Sequence, residues 1–196
     1  MSRVGSIERV TGETDIEVKI SLEGQGLLSG TIGVGFLDHM LEIFVKHSNC
    51  DMEISAMGDL HIDSHHLTED LGICIGKALK EALGDKKEIK RYGTSYVPMD
   101  EALARVVVDF SGRPYLSYRA SGLKERIGDF DTELVEEFLR ALSIHAGITI
   151  HVDKLAGDNT HHIIEAIFKA LARSMSAAWE INPGQTSVLS TKGVLE

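Results

Sequence analysis

The chain has 196 residues, which suits one domain or two small fused domains and allows a sizeable core. Its hydrophobic content of 43% is ordinary for a globular protein. The formal net charge of −10 argues against a nucleic-acid-binding protein, because contacts to phosphates need a basic face. A local cluster of Arg and Lys could still bind a small phosphorylated molecule.

Cysteine content and apolar content together predict a cytoplasmic protein. Cys50 and Cys74 form no C-x-x-C pair, so we expect no disulfide framework, which fits a reducing compartment. The N-terminal MSRVGSIERV lacks the apolar segment of a signal peptide. No stretch approaches the roughly 18 apolar residues that a membrane span requires, so we expect no membrane association.

The first half of the chain predicts strand, helix, strand and helix in that order. ETDIEVKISLEG (13–24) alternates apolar and polar residues, which is typical of a half-buried strand. FLDHMLEIFVKH (36–47) has apolar residues at helical spacing, and DMEISAM (51–57) is a short strand. A longer helix begins within DSHHLTED (63–70) and ends at Gly84, a residue suited to a C-cap.

The second half repeats this order, which predicts an internal duplication. Four segments match the first half in order: EALARVVVDFSG (101–112), LVEEFLRALSIH (134–145), GITIHV (147–152) and NTHHIIEA (159–166). The offset between matched segments drifts, which places the differences in length in loops, where insertions are tolerated.

The duplication predicts an α+β fold in which each repeat is a small sheet covered by two helices. We place the repeats at 1–90 and 91–182 and a C-terminal tail at 183–196. No linker rich in Ser, Gly or Pro separates the repeats, so one compact fused domain is favoured over two independent domains. Because both helices gather on one face of each sheet, we expect the other face to meet its twin.

The pattern H-H-x-x-E occurs at the start of both long helices, at His65 and at His161. Positions i and i+4 share one face of a helix, so the first histidine and the glutamate can bind one ion. The second histidine is rotated by about 100° and points to another place. Imidazole and carboxylate together suit Mn, Fe or Zn, whereas an all-oxygen site suits Mg or Ca. A single pair of this kind is commonly a solvated helix start, but its repetition predicts more than one metal ion.

Aligning the repeats adds further metal candidates, since His39 corresponds to Glu137. His47 corresponds to His145, and for both a position near a helix end favours a structural or supporting role. The eight potential ligands are His39, His65, His66, Glu69, Glu137, His161, His162 and Glu165. Four protein ligands for each ion would leave coordination positions open for a substrate if the metal prefers six.

Cationic residues outside these motifs predict a phosphate site. They occur in KRYG (90–93), SGRPY (111–115) and LSTKG (189–193) and at Lys169. Arg in a turn and Ser/Thr-Lys in a Gly-flanked loop suit a phosphate by charge and donor geometry. The Gly-rich motifs of nucleotide sites are absent. The residues alone therefore indicate a dinuclear metalloenzyme that acts on a small anionic substrate.

Six motifs, in order over almost the whole chain, resemble the imidazoleglycerol-phosphate dehydratase family of histidine biosynthesis: FLDHML, DSHHLTEDLGI, RYG…PMDEAL, SGRPYL, HHIIEAIFKALAR and STKGVL. The resemblance implies a hydro-lyase that converts D-erythro-imidazoleglycerol phosphate to imidazole acetol phosphate with two Mn(II) ions per active site. It also implies a duplicated α+β half-barrel and a 24-subunit homo-oligomer with active sites at subunit interfaces.

The resemblance also implies how the ligands are shared between the ions. One ion is held by His39, His66, His161 and Glu165, and the other by His65, Glu69, His162 and Glu137. The family pattern has histidine where this chain has Glu137. Because a carboxylate can replace imidazole at Mn, we still expect Glu137 to bind metal.

The implied catalytic residues are Glu13, Glu69 and Glu165, with Glu13 as the acid/base that moves protons. The implied substrate contacts are Glu13, His39, His47, His65, Arg91, Arg113, His161, Lys169, Ser190, Thr191 and Lys192. In the resulting hypothesis, metals at both imidazole nitrogens acidify the ring N–H. The imidazolate then expels the neighbouring hydroxyl as a diazafulvene forms, and a base removes the C2 proton.

Two alternatives share parts of this pattern. A dinuclear metallohydrolase could use the same ligands on a small phosphorylated substrate, but it would release phosphate. A metal-storage shell without catalysis is disfavoured, because ferritin-like sites use Glu-x-x-His on a helical bundle and this chain has predicted strands.

Overall fold

The computed structural model describes residues 2–193 and residue 195, and within them four helices and ten strands form. The helices are α1 (Gly35–Ser48), α2 (His65–Leu83), α3 (Leu134–Ala146) and α4 (Thr160–Trp179). The strands are β1 (Val4–Val10), β2 (Thr14–Ser21), β3 (Leu28–Ser29), β4 (Asp51–Gly58), β5 (Tyr92–Met99), β6 (Ala102–Asp109), β7 (Tyr115–Arg119), β8 (Arg126–Ile127), β9 (Phe130–Asp131) and β10 (Thr149–Ala156). The predicted elements are all present, and α2 ends at Gly84 as its C-cap.

The strands form two four-stranded sheets with the same topology, which confirms the duplicated α+β fold. The first sheet has the order β1-β2-β4-β3 and the second has the order β5-β6-β10-β7. In each sheet the short last strand runs parallel to its neighbour, and the other pairs are antiparallel. The sequence pattern predicted the central strands β2, β4, β6 and β10, but it did not predict the outer strands β1, β3, β5 and β7 or the hairpin β8–β9 that precedes α3.

The position of the domain boundaries at 90 and 182 stays a prediction. Met1, Val194 and Glu196, which belong to the predicted first repeat and tail, lie outside the described residues.

The two repeats meet through their helices, because α1 packs against α4 and α2 packs against α3. Gly72 and Gly76 allow α3 to approach α2 closely: a Cβ added at Gly72 would lie 2.7 Å from the carbonyl oxygen of Phe138. The expectation that each sheet turns its free face to its twin is therefore wrong. On β2 that free face carries exposed charged residues, whereas Ile16 and Val18 on the other face are fully buried beneath the helices.

The glycines at repeat-related positions Gly5 and Gly93 let each long helix lie directly on its sheet. A Cβ at Gly5 would overlap the carbonyl group of Ala78 on α2, and a Cβ at Gly93 would overlap that of Ser174 on α4. Since both contacts are with backbone, the helix would have to move to make room. Gly5 and Gly93 therefore allow the helices that carry the two H-H-x-x-E motifs to lie against their sheets.

Cys50 and Cys74 are both free and buried. Within residues 2–193 and 195, none of the helices combines the length and the apolar character that crossing a membrane would require.

We expect Gly5→Ala and Gly93→Ala each to lower the free energy of unfolding by about 1–3 kcal/mol, because an added methyl group overpacks the contact between strand and helix. Gly12→Ala is the matched control, since a Cβ there meets nothing within 4 Å. Chemical denaturation of the three variants measures the difference. Equal stability of Gly5→Ala and Gly12→Ala would contradict the packing argument.

Candidate functional site

Three of the predicted metal ligands meet where α1 packs against α4. His39 lies on α1, and His161 and Glu165 lie one turn apart on α4. The Nε2 atoms of His39 and His161 are 3.7 and 3.2 Å from Oε2 of Glu165. Over the described residues this is the only group of three or more such side chains whose ligand atoms all lie within 4.8 Å of one another. Two imidazoles and one carboxylate fit Mn, Fe or Zn.

The carboxylate of this group is held in its charged form by Lys169. Burial alone raises the pKa of Glu165, but a hydrogen bond from Lys169 and the charges of Lys169, His39 and His161 lower it overall. The Nζ atom of Lys169 lies 2.6 Å from Oε1 of Glu165. Oε2 faces the two histidines, so one oxygen serves the lysine and the other is directed at the candidate metal position.

A side chain just before each long helix accepts hydrogen bonds from the backbone of the paired histidines, and in α4 this side chain is the N-cap. The side-chain oxygen of Asn159 accepts hydrogen bonds from the backbone N–H groups of His161 and His162, at 3.0 and 3.4 Å. Such caps satisfy donors that have no partner inside the helix. At the other motif, Oδ1 of Asp63 accepts from the backbone N–H of His65 at 2.8 Å.

Aromatic packing fixes the ring of His161. Phe36, in the first turn of α1, meets this ring edge-on with centroids 5.3 Å apart, and Phe36 packs on Phe130 of the β8–β9 hairpin at 5.3 Å. A cavity of about 690 Å³ opens beside these rings, and His39 and His161 are part of its wall. The space next to the candidate metal position is therefore large enough for a small molecule.

The second histidine of each motif is bound by a carboxylate that the sequence analysis missed. Nδ1 of His66 lies 2.9 Å from Oδ2 of Asp59, and Nδ1 of His162 lies 2.8 Å from Oε2 of Glu101. These hydrogen bonds raise the pKa values of both histidines. Glu101 is the repeat equivalent of Glu13, and this alignment was the signal that could have identified it.

The other predicted ligands are not gathered in the same way within one chain. Among the described residues, His65, Glu69 and Glu137 belong to no group of three or more side chains whose ligand atoms all lie within 4.8 Å of one another. Oε2 of Glu137 lies 3.5 Å from Nε of Arg140, and Glu69 is exposed on α2. The role of these three residues as ligands stays a prediction.

Glu13 lies in the turn between β1 and β2, where 56% of its side chain is exposed. Its Oε2 is 3.8 Å from Nδ1 of His66, beyond hydrogen-bond distance. The next residue, Thr14, donates to Oδ2 of Asp70 at 2.5 Å, and Arg9 donates to Oδ1 of Asp70 at 2.8 and 3.0 Å. This buried network ties the turn that carries Glu13 to the helix that carries His66.

The predicted phosphate contacts Arg91, Arg113, Ser190, Thr191 and Lys192 all line one cavity of about 1050 Å³. Arg91 shapes this cavity through two partners: it donates to both carboxylate oxygens of Asp109, at 2.7 and 3.0 Å, and to the carbonyl oxygen of Leu189 at 2.5 Å. These bonds occupy three of the five N–H donors of the guanidinium group. Arg113 and Lys192 are exposed cations at the same cavity.

Lys169 and His47 lie away from the residues of this cavity. Lys169 is bound to Glu165, as described above, and His47 lines a cavity of about 370 Å³ together with His39. Burial lowers the pKa of His47, and the nearby charges of Lys169 and Arg173 lower it further. His47 is therefore favoured in its neutral form near pH 7.

Comparison with known proteins gives a consistent result. The family model described as imidazoleglycerol-phosphate dehydratase matches residues 32–175. A protein of that name from Halalkalibacterium halodurans is 55% identical over 98% of this chain and 100% of its own length. One from Acetivibrio thermocellus is 53% identical over 100% of both chains.

Solved structures agree with the sequence relatives. The crystal structure of imidazoleglycerol-phosphate dehydratase from Staphylococcus aureus is 51% identical, with a TM-score of 0.83 over 91% of this chain and 99% of that chain. The enzyme from Pyrococcus furiosus, solved in complex with (S)-C348, is 39% identical, with a TM-score of 0.83 over 96% of this chain and 100% of its own. The chain therefore belongs to the imidazoleglycerol-phosphate dehydratase family of hydro-lyase enzymes.

Proposed function

We propose that this protein dehydrates D-erythro-imidazoleglycerol phosphate to imidazole acetol phosphate in histidine biosynthesis, and that it does so in the cytoplasm. The observation that carries the proposal is the group His39, His161 and Glu165, which the two repeats build together. Full-length similarity to proteins named for this activity supports the choice of substrate.

The donor set fits manganese, and we propose two Mn(II) ions per active site. Imidazole nitrogen with carboxylate oxygen is a ligand combination that Mn(II) accepts. His39, His66, His161 and Glu165 would hold one ion, and His65, Glu69, Glu137 and His162 the other. When bound by these residues, the metal would supply Lewis-acid chemistry that favours loss of the N–H proton of the substrate ring, and the electron-rich ring could then expel the neighbouring hydroxyl.

Each ligand set needs a histidine that lies outside the group formed within one chain. The group of His39, His161 and Glu165 does not include His66 in the part of the chain described. A neighbouring subunit can supply it, which supports active sites at subunit interfaces. We propose the 24-subunit homo-oligomer that the resemblance to the family implies. The same reasoning applies to the set that contains Glu137 and His162.

In the chemical step, the protein binds the phosphate, keeps Glu165 ionised and moves protons. The hydroxyl next to the ring leaves as water after it accepts a proton, and the adjacent carbon, C2, then loses its proton to a base. Glu13, as a carboxylic acid, would give a proton to the leaving hydroxyl, and the carboxylate that results would accept the C2 proton; its side chain is exposed and makes no hydrogen bond to His66. The enol that results tautomerises to the ketone.

The cavity of Arg91, Arg113, Ser190, Thr191 and Lys192 suits the phosphate of the substrate. Its cations supply charge, and the Ser-Thr-Lys segment supplies hydroxyl and ammonium donors. Arg91 keeps two N–H donors for an anion, while two others bind Asp109 on β6 and one binds the carbonyl oxygen of Leu189 in the tail. We propose that Lys169 and His47 act beside the metal ligands rather than in this cavity.

Glu13→Gln is expected to lower kcat by about 10²- to 10⁴-fold, the usual contribution of general acid–base catalysis. Steady-state turnover with imidazoleglycerol phosphate measures the loss, and equilibrium binding of Mn²⁺ and of substrate should match the unchanged protein. A variant that fails only in binding would contradict the assignment of proton transfer to Glu13.

Lys192→Ala and Arg113→Ala are each expected to raise KM by roughly ten- to hundred-fold, because each loses a hydrogen bond to a charged phosphate. Lys19→Ala is a matched control, since that exposed lysine pairs with Glu53 and lies on β2 of the first repeat, whereas the cavity residues belong to the second repeat and the tail. The same KM for Lys192→Ala and Lys19→Ala would argue against a phosphate site in this cavity.

Glu165→Gln is expected to reduce bound manganese from two ions to one per chain and to abolish turnover, because the amide is a poorer ligand. Elemental analysis after gel filtration measures the metal, with Glu81→Gln on the exposed side of α2 as the control.

Assays on the unchanged protein should follow ketone formation and phosphate release together. Stoichiometric release of phosphate would replace the dehydratase proposal by the metallohydrolase.

A further inference from the structure

The two repeats use different carboxylates to bind the second histidine of their H-H-x-x-E motifs. Each repeat offers two candidate carboxylates at matching positions. The first is a glutamate just before β2 or β6, which is Glu13 or Glu101. The second is an aspartate in the turn before the long helix, which is Asp59 or Asp158. The duplication therefore supplies four carboxylates for two histidines.

In the first repeat the aspartate of the turn makes the contact. Oδ2 of Asp59 lies 2.9 Å from Nδ1 of His66, whereas Oε2 of Glu13 is 3.8 Å from the same nitrogen. Oδ1 of Asp59 is buried and has no hydrogen-bond partner in the part of the chain that the structure describes. Among the described residues, His66 is thus the one side chain that forms a hydrogen bond with Asp59.

In the second repeat the glutamate makes the contact. Oε2 of Glu101 lies 2.8 Å from Nδ1 of His162, and its Oε1 accepts from the backbone N–H groups of Asn159 and Asp158 at 2.9 and 3.3 Å. Within residues 2–193 and 195, no hydrogen bond or ion pair to the carboxylate of Asp158 is found. The hydrogen bonds to Glu101, first that from His162, lower its pKa to about 2, so it stays ionised near neutral pH.

We propose that Asp59 and Glu101 are positioning residues that orient His66 and His162 toward the metal ions, and that the choice of Asp59 leaves Glu13 free to move protons. A carboxylate that binds Nδ1 fixes the tautomer in which the lone pair of Nε2 is available for a metal. Because Asp59 already binds His66, Glu13, the repeat equivalent of Glu101, is not needed to hold this histidine. The inference rests on the metal ligation in the proposed function.

The test is an equilibrium titration of the metal-free, full-length assembly with Mn²⁺ in competition with a chelating dye. The variants are Asp59→Asn and Asp59→Ala, and Glu101→Gln and Glu101→Ala. Asp158→Asn is the matched control for Asp59, and Glu13→Gln is the matched comparison for Glu101. Circular dichroism and gel filtration verify that each variant retains its fold and assembly.

Loss of either positioning residue is expected to weaken Mn²⁺ binding by about 10- to 100-fold. The alanine variants should lose more than the amide variants, because an amide oxygen can still accept a hydrogen bond from Nδ1–H. Asp158→Asn and Glu13→Gln should bind Mn²⁺ as the unchanged protein does, although Glu13→Gln loses turnover.

Unchanged Mn²⁺ affinity in the Asp59 and Glu101 variants would overturn the inference while the proposed function stands. Equal losses of Mn²⁺ affinity in Asp59→Asn and Asp158→Asn would also overturn it. The removal of one negative charge, and not the removal of the partner of His66, would then explain the effect. If the unchanged protein bound no Mn²⁺, the proposed function itself would fail, which is a distinct result.

Discussion

The packing of α1 against α4 is the contact on which the rest of the site depends. His39 belongs to the first repeat, and His161 and Glu165 belong to the second, so neither repeat alone gathers these ligands. The long helices lie directly on their sheets because Gly5 and Gly93 leave room for the backbone carbonyls beneath them. The two long helices thus rest on their sheets, and α1 brings His39 across the boundary between the repeats to His161 and Glu165.

Duplication supplies equivalent positions, and the two repeats use them differently. Glu101 is locked to His162 and to the start of α4, whereas Glu13 stands exposed at the corresponding turn. Likewise, Lys169 neutralises part of the charge of Glu165 in the second repeat, whereas Ile73 occupies the corresponding position of the first. One duplicated unit thus places equivalent side chains in two different settings. The tail adds Ser190, Thr191 and Lys192 to a cavity that Arg91 and Arg113 of the second repeat also line.

The repeated pattern was sufficient to predict the fold class, the four helices and the central strands β2, β4, β6 and β10, because alternation and helical spacing are local properties of the sequence. It was also sufficient to predict that His161 and Glu165 share a face, since they are four residues apart on one helix. Asp59 and Glu101 were missed because their contacts depend on how turns fold back onto the helices. The packing of the two repeats through their helices, and not through their sheets, was missed for a related reason. The alternation of β2 shows that one face of the strand is apolar, but it does not show which element covers that face.

The central claim is that the repeats jointly build a dinuclear manganese site around an azole ring. The most direct measurement is a crystal structure of the manganese-loaded protein with a substrate analogue, using anomalous scattering to locate the ions. The account predicts two manganese peaks, one at His39, His161 and Glu165, with the heterocycle between them and one ring nitrogen on each ion. A heterocycle bound away from both ions, or a manganese peak outside these ligands, would contradict it.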